Sequence, residues 1–176
     1  MAVSRDIGGI DIARTLPEFA VVGHIDSHVK KLAFTDSALV AVSDQEYEEG
    51  PDRLISISPA DLSYQEVNAP PLGRVEYVSC ANGVCATSND KGSVALTEIT
   101  SGRSLGSLQF SRIDGVAYGT DDLVVAEGSV LHFINGVNLE EWRSEDTHNL
   151  VEALTLLDGG IVFINYDKID VRTVAR

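Results

Sequence analysis

Four stretches of this sequence align without a gap over sixteen positions: VKKLAFTDSALVAVSD from Val29, VEYVSCANGVCATSND from Val75, IDGVAYGTDDLVVAEG from Ile113 and VEALTLLDGGIVFINY from Val151. A repeat at this spacing constrains the fold more than composition does, because one such unit cannot bury its apolar face alone and must stack on its neighbours. Every copy opens on Val or Ile, alternates toward a short polar or glycine pair, and resumes with apolar residues. The middle pairs are Asp36-Ser37, Asn82-Gly83, Thr120-Asp121 and Asp158-Gly159. Asn-Gly and Asp-Gly favour the positive φ of two-residue hairpin turns, so each unit is expected to begin with a β-hairpin.

A third apolar, β-prone run follows each hairpin, at 54–57, 94–97, 130–134 and 169–171. A weaker fourth run precedes the next unit at 64–67, 105–110 and 139–143. Four strands per unit, with no sustained 3.6-residue apolar period, predict an all-β fold in a single domain over residues 1–176. The ends add to this, because Gly9-Ile10-Asp11-Ile12-Ala13-Arg14 echoes Lys168-Ile169-Asp170-Val171-Arg172. Residues 1–28 are expected to supply a partial unit, with Glu18 to Ile25 as a fourth strand arriving before the first full one.

The alignment also places the two cysteines. Cys80 shares a column with Phe34, Tyr118 and Leu156, and Cys85 with Leu39, Leu123 and Ile161, so both occupy core positions. A turn at Asn82-Gly83 makes Ala81 and Val84 the closing pair and sets Cys80 opposite Cys85, about 4.5 Å apart at Cα. Buried free thiols are the favoured reading and a cross-strand disulfide the alternative. A thiolate-rich metal site would need cysteines that the chain does not have.

Four antiparallel strands recurring about every 40 residues resemble the blades of a WD40-like β-propeller. Gly23-His24, followed by Val29, Leu32 and Phe34, is similar to the Gly-His opening and first strand of a WD repeat. The other units lack Gly-His, none ends in Trp-Asp, and the single Trp142 stands in Glu-Glu-Trp-Arg. The resemblance implies about four blades of four antiparallel strands. It implies either a ring closed by the N-terminal strand or a partial ring completed by a partner, since exposed strand edges are templates for pairing.

The units start at residues 29, 75, 113 and 151, so the first spacing, 46 residues, exceeds the 38 of the others by eight. The excess lies in Ser43-Asp44-Gln45-Glu46-Tyr47-Glu48-Glu49-Gly50-Pro51-Asp52. Insertions in repeat proteins map to loops on one face, often the binding face. In the propeller reading that face also carries the connections between blades, near Asp26, Arg112 and 144–148. Glu46, Tyr47, Glu48, Glu49, Asp52, Glu145 and Asp146 are therefore the candidate partner-binding residues.

Charge narrows the partners. With 27 carboxylates against 13 basic side chains, the net charge of −14 repels nucleic acid and anionic membranes. It fits a salt-adapted cell, a face that attracts basic protein partners, or plain solubility, while the open strand edges separately predict self-association through the first and last strands. No apolar window is long enough to span a bilayer and no secretory layout opens the chain, so a soluble, intracellular and cytoplasmic protein is expected.

Catalytic signals are sparse. His24, Asp26 and His28 alternate as metal ligands on a strand would, but in the repeat frame they form the connection into the first hairpin, which favours a structural role. No Gly-x-Ser-x-Gly elbow and no phosphate loop occurs. The sequence thus favours a non-enzymatic interaction or assembly scaffold with no cofactor. The alternatives are a metal-dependent propeller hydrolase or lyase and a structural subunit of a coat or virion.

Overall fold

The computed structural model of the chain describes residues 2–4, 10–14, 20–25, 29–43, 50–70, 72–157, 160–165 and 168–173, with side chains from Val29 onward, Leu157 excepted. Eighteen strands and no helix occur among them. They form five antiparallel sheets that follow one another along the chain. The first holds β1 (Ala2–Ser4), β2 (Ile10–Arg14) and β3 (Ala20–Ile25). The second holds β4 (Val29–Phe34), β5 (Leu39–Ser43), β6 (Arg53–Ile57) and β7 (Tyr64–Glu66). The third is β8 (Val75–Ala81), β9 (Val84–Asn89), β10 (Ser93–Glu98) and β11 (Ser104–Gln109). The fourth is β12 (Gly115–Tyr118), β13 (Asp122–Glu127), β14 (Val130–Asn135) and β15 (Glu141–Asp146). The fifth stops after β16 (Val151–Leu157), β17 (Gly160–Asn165) and β18 (Lys168–Thr173).

Within each four-stranded sheet the strands lie in chain order, and the first strands of successive sheets lie side by side, β4 beside β8, β8 beside β12, and β12 beside β16. That is a propeller-like array around an axis lined by first strands. The second strand of each sheet also touches the first strand of the next, β5 to β8, β9 to β12 and β13 to β16. β1 stands in the same relation to β4. Among the described residues, the first sheet therefore holds strands in the second, third and fourth places, and the fifth holds strands in the first, second and third.

The ring is not closed by the N-terminal strand. β2 pairs on one side with β1 and on the other with β3, so both of its edges are used within its own sheet and none is left for β18. Among the described residues β18 pairs only with β17. Among the described residues the ring is therefore not closed by hydrogen bonds.

The apolar columns of the repeat fill the spaces between sheets. Val40, Val42 and Leu54 of the second sheet pack on Val75 and Cys85 of the third. Ala86, Val94 and Leu96 of the third meet Val116, Leu123, Val125 and Ile134 of the fourth. Val124, Ala126, Leu131 and Phe133 of the fourth meet Val151, Ile161 and Phe163 of the fifth. Successive side chains on a strand point to opposite faces, so Leu123 and Val125 serve one junction while Val124 and Ala126 serve the next.

The central hairpin forms as the sequence requires. Asn82 and Gly83 both take positive φ, 48° and 74°, which places Ala81 opposite Val84 and Cys80 opposite Cys85. The cysteines are joined by a disulfide across the strand pair, with Cα atoms 4.1 Å apart. This corrects the expectation of free thiols. The register puts the two residues at the short separation of a non-hydrogen-bonded pair, and proximity outweighs the apolar surroundings that favoured thiols. The other boundary that moves is β15. Leu139, expected in a strand, takes φ 60° in the preceding turn, and the strand runs instead from Glu141 to Asp146.

Candidate partner-binding face

Strands that alternate direction put the turns between second and third strands on the same face as the connections between sheets, and hydrogen bonds tie the two together. The Asp52 N–H donates to Gly73 O at 2.9 Å, Phe110 N–H to Gly92 O at 2.8 Å, and Thr147 N–H to Ser129 O at 2.8 Å. In each case the turn of one sheet grips the chain as it crosses to the next. A residue of the following sheet holds the same crossing from the other side. Asn89 Nδ2 donates to Leu72 O at 3.2 Å, Glu127 Oε1 accepts from the Ser111 N–H at 2.8 Å, and Asn165 Nδ2 donates to Thr147 O at 3.4 Å. Asn89, Glu127 and Asn165 occupy one polar column of the sixteen-position repeat, with Ser43 as the fourth member. The consistent polarity of that column was the available signal for its role.

Glu127 shows what this clamp does to a carboxylate. The Ser111 hydroxyl, the Ser111 N–H and the Arg112 N–H all donate to it and hold its pKa below the usual 4.5. A depressed carboxylate contributes stability that is complete above its unfolded pKa and disappears as pH falls through the folded value. Wild type should therefore lose part of its advantage over Glu127→Gln as pH is lowered from about 5, close to the unfolded Glu value. Urea midpoints of the two proteins across that range check it, and a constant gap would contradict it.

The candidate residues fall into three groups. Glu46, Tyr47, Glu48 and Glu49 lie outside the described residues, between β5 and β6. Asp52, three positions after Glu49, is buried, with 7% of its surface exposed. Its Oδ2 accepts from the Val75 N–H and lies 2.5 Å from Lys30 Nζ. It is committed inside the protein and not available to a partner, a correction the sequence could not supply because Lys30 and Val75 are distant along the chain. Asp52 instead ties the start of the third strand of its sheet to Lys30 and to Val75 of the next sheet.

Glu145 and Asp146 are neighbours on β15 with different duties. Glu145 pairs with Arg143 at 2.5 Å and with Arg172 of β18, so it bridges the fourth and fifth sheets. Asp146 is exposed and accepts from the His148 N–H at 2.8 Å. That bond and one from the Ser129 side chain lower its pKa, so it stays ionised at mildly acid pH. Of the seven candidates, Asp146 is the one described residue free to meet a partner. Nearby, the His132 ring spans three strands, its Nδ1 3.0 Å from Glu141 and its Nε2 3.3 Å from Glu127, an arrangement the sequence did not single out. His24 lies on β3, and Asp26 and His28 lie outside the described residues.

A cleft of about 190 Å³ opens between the crossing at Pro70 and Leu72 and the third sheet, lined by Thr87, Asn89, Thr97 and Ser107. Its polar groups are hydroxyls and an amide. Such groups exchange hydrogen bonds, but none is a base that could activate a nucleophile.

No protein-family model and no curated protein matches this sequence. Solved structures do. The computationally designed Ika4 protein superposes with a TM-score of 0.65 at 17% identity, over 89% of this chain and 96% of that one. A chain in the crystal structure of the mitotic checkpoint complex superposes with a TM-score of 0.74 at 12% identity, over 99% of this chain and 57% of that one. The fold is thus that of WD40-like propellers, and the chain spans a little over half the length of the latter match.

Proposed function

We propose that the protein is a non-enzymatic interaction module that docks a basic protein partner on the face carrying its acidic insertion. The observation that carries this reading is the footing of the insertion. Asp44, Glu46, Glu48 and Glu49 bracket Tyr47 in a loop whose far end is fixed by the buried Asp52. An acidic segment that carries an aromatic residue steers an oppositely charged partner. Asp146 adds exposed charge on the same face. The likeness to a chain of a multi-protein complex agrees with protein partners in general.

The test is co-purification of wild type and the triple variant Glu46→Lys, Glu48→Lys, Glu49→Lys from the same extract. The wild type should retain a basic protein at low salt and release it as salt rises past the screening range. The variant should lose at least about tenfold in retention, the equivalent of roughly 1.4 kcal/mol. Equal retention by both proteins would contradict the reading. The intracellular setting belongs to the same proposal. Thiol trapping in freshly broken cells reports on it, because a reducing cytoplasm keeps Cys80 and Cys85 reduced and an oxidising compartment preserves their disulfide.

A further inference from the structure

We infer that the cleft between the crossing at Pro70 and Leu72 and the third sheet is a binding site for a small neutral polyol, of the size and hydroxyl content of a monosaccharide. The cleft arises by substitution in repeat columns that are filled elsewhere. Thr87 stands in the column of Ala41, Val125 and Phe163, and is its one polar member. Register extends the comparison to the next strand. Ala95 pairs with Thr87 as His132 pairs with Val125, and Thr97 pairs with Cys85 as Ile134 pairs with Leu123. At the junction of the third and fourth sheets, Leu123, Val125 and Ile134 belong to the core, and the His132 ring lies against Phe110 of the crossing at 5.3 Å between centroids. Leu72 holds the place of Phe110, three residues before its own repeat. Ala95 and Leu72 are both smaller than their counterparts, and both line the space of about 190 Å³ that remains.

Two threonines that line this space are buried, Thr87 at 3% exposure and Thr97 at 1%, and neither hydroxyl bonds to a protein group among the described residues. The fourth sheet carries Val125 and Ile134 in their places, so the fold does not require hydroxyls there. A buried hydroxyl without a hydrogen bond costs free energy, and a ligand that brings donors and acceptors to it removes that cost. The rest of the lining fixes the class of ligand. No ionisable side chain lines the cleft, so an ionised ligand would lose its hydration without meeting a countercharge. A wholly apolar ligand would leave Thr87 and Thr97 unpaired. A neutral molecule with several hydroxyls meets both conditions, and its C–H face has Pro70, Leu72 and Ala95 to rest on. Asn89 holds the wall in place, its Nδ2 donating to Leu72 O at 3.2 Å and its Oδ1 accepting from the Lys91 and Ser93 N–H groups at 3.0 Å. The volume lies below the roughly 300 Å³ at which pockets for drug-sized ligands begin, which limits the ligand to about one ring.

The experiment is an NMR titration of the amide resonances of the whole chain. The probes are glucose, galactose, mannose, xylose and myo-inositol, with glucuronate as the charged analogue and cyclohexanol as a ring of similar size with a single hydroxyl. At least one neutral polyol should shift the amides of Thr87, Ala95, Thr97 and Ser107 along a saturating curve, and glucuronate and cyclohexanol should bind at least about tenfold more weakly. Thr87→Val with Thr97→Ile, the residues of the fourth sheet, should keep the β-sheet circular dichroism and unfold at no lower urea than wild type, because the hydroxyls removed have no protein partner. The same double variant should bind the best probe at least about tenfold more weakly. Ala95→His, again the residue of the fourth sheet, should abolish the shifts by filling the cleft while both threonines stay. No saturating shift with any neutral polyol would overturn the inference, as would shifts scattered outside the cleft, glucuronate or cyclohexanol bound as tightly as the polyols, or either variant binding as wild type does. The inference does not rest on the docking of a protein partner, and none of these outcomes alters the retention of a basic protein by the acidic loop.

Discussion

Replacing Asp52 with alanine should lower the unfolding free energy by about 3–5 kcal/mol, the range for removing one partner of a buried, hydrogen-bonded charge pair. A single carboxylate oxygen accepts from the Val75 N–H and faces the Lys30 ammonium, while the Asp52 backbone holds Gly73. Lys30 starts the second sheet, Val75 starts the third, and Gly73 lies on the crossing between them. Alanine would leave the Val75 amide unpaired where the residue is 1% exposed, and would strand a largely buried ammonium. Asp52→Asn should lose less, about 1–3 kcal/mol, because the amide oxygen still accepts from Val75. Urea unfolding followed by circular dichroism distinguishes the three proteins. Equal midpoints for wild type and Asp52→Ala would remove Asp52 from the structural account and return it to the partner-binding face.

Phe133→Ala should cost a similar amount, about 3–5 kcal/mol, by leaving a cavity between the fourth and fifth sheets. The Phe133 ring is 1% exposed, tilted against Trp142 at 5.6 Å between centroids and capped by the Arg143 guanidinium at 5.1 Å. The informative comparison is Val171→Ala at the equivalent position of the last sheet. There the side chain is 72% exposed in the monomer, and its removal should change monomer stability by no more than about 0.5 kcal/mol. The same column would then give a large loss where a following sheet exists and almost none where it does not. A loss of 2 kcal/mol or more for Val171→Ala would mean that the outer face of the last sheet is already covered within one chain.

The strands were legible because each repeat column carries a two-residue alternation that only a sheet can use. Leu123 and Val125 point one way and Val124 and Ala126 the other, and both sets are apolar because a sheet lies on either side of the fourth. The turn at Asn82-Gly83 was legible for a local reason, since both residues tolerate positive φ. What escaped depends on residues far apart in the chain. Asp52 read as one more acid of a loop until Lys30 and Val75 closed around it. The cysteine pair was placed correctly opposite one another, yet the choice between thiols and a disulfide depended on a separation that the column alone does not fix. The place of β1 in the first sheet was hidden as well, because this short strand shows its rank only by lying beside β4. The candidate residues were legible as a loop insertion, while the ion pair of Glu145 was not, because Arg172, its inter-sheet partner, lies 27 positions further along the chain.

The measurement that bears most directly on the account is hydrogen exchange of the protein alone and in complex with the partner retained by the wild type. Binding should slow exchange in 44–52 and 144–148, on the face where the crossings run, and leave the hairpin turns of the opposite face, including Asn82-Gly83, unchanged. Protection confined to those opposite turns, or to 160–173 alone, would contradict the assignment of the acidic face as the site where partners dock.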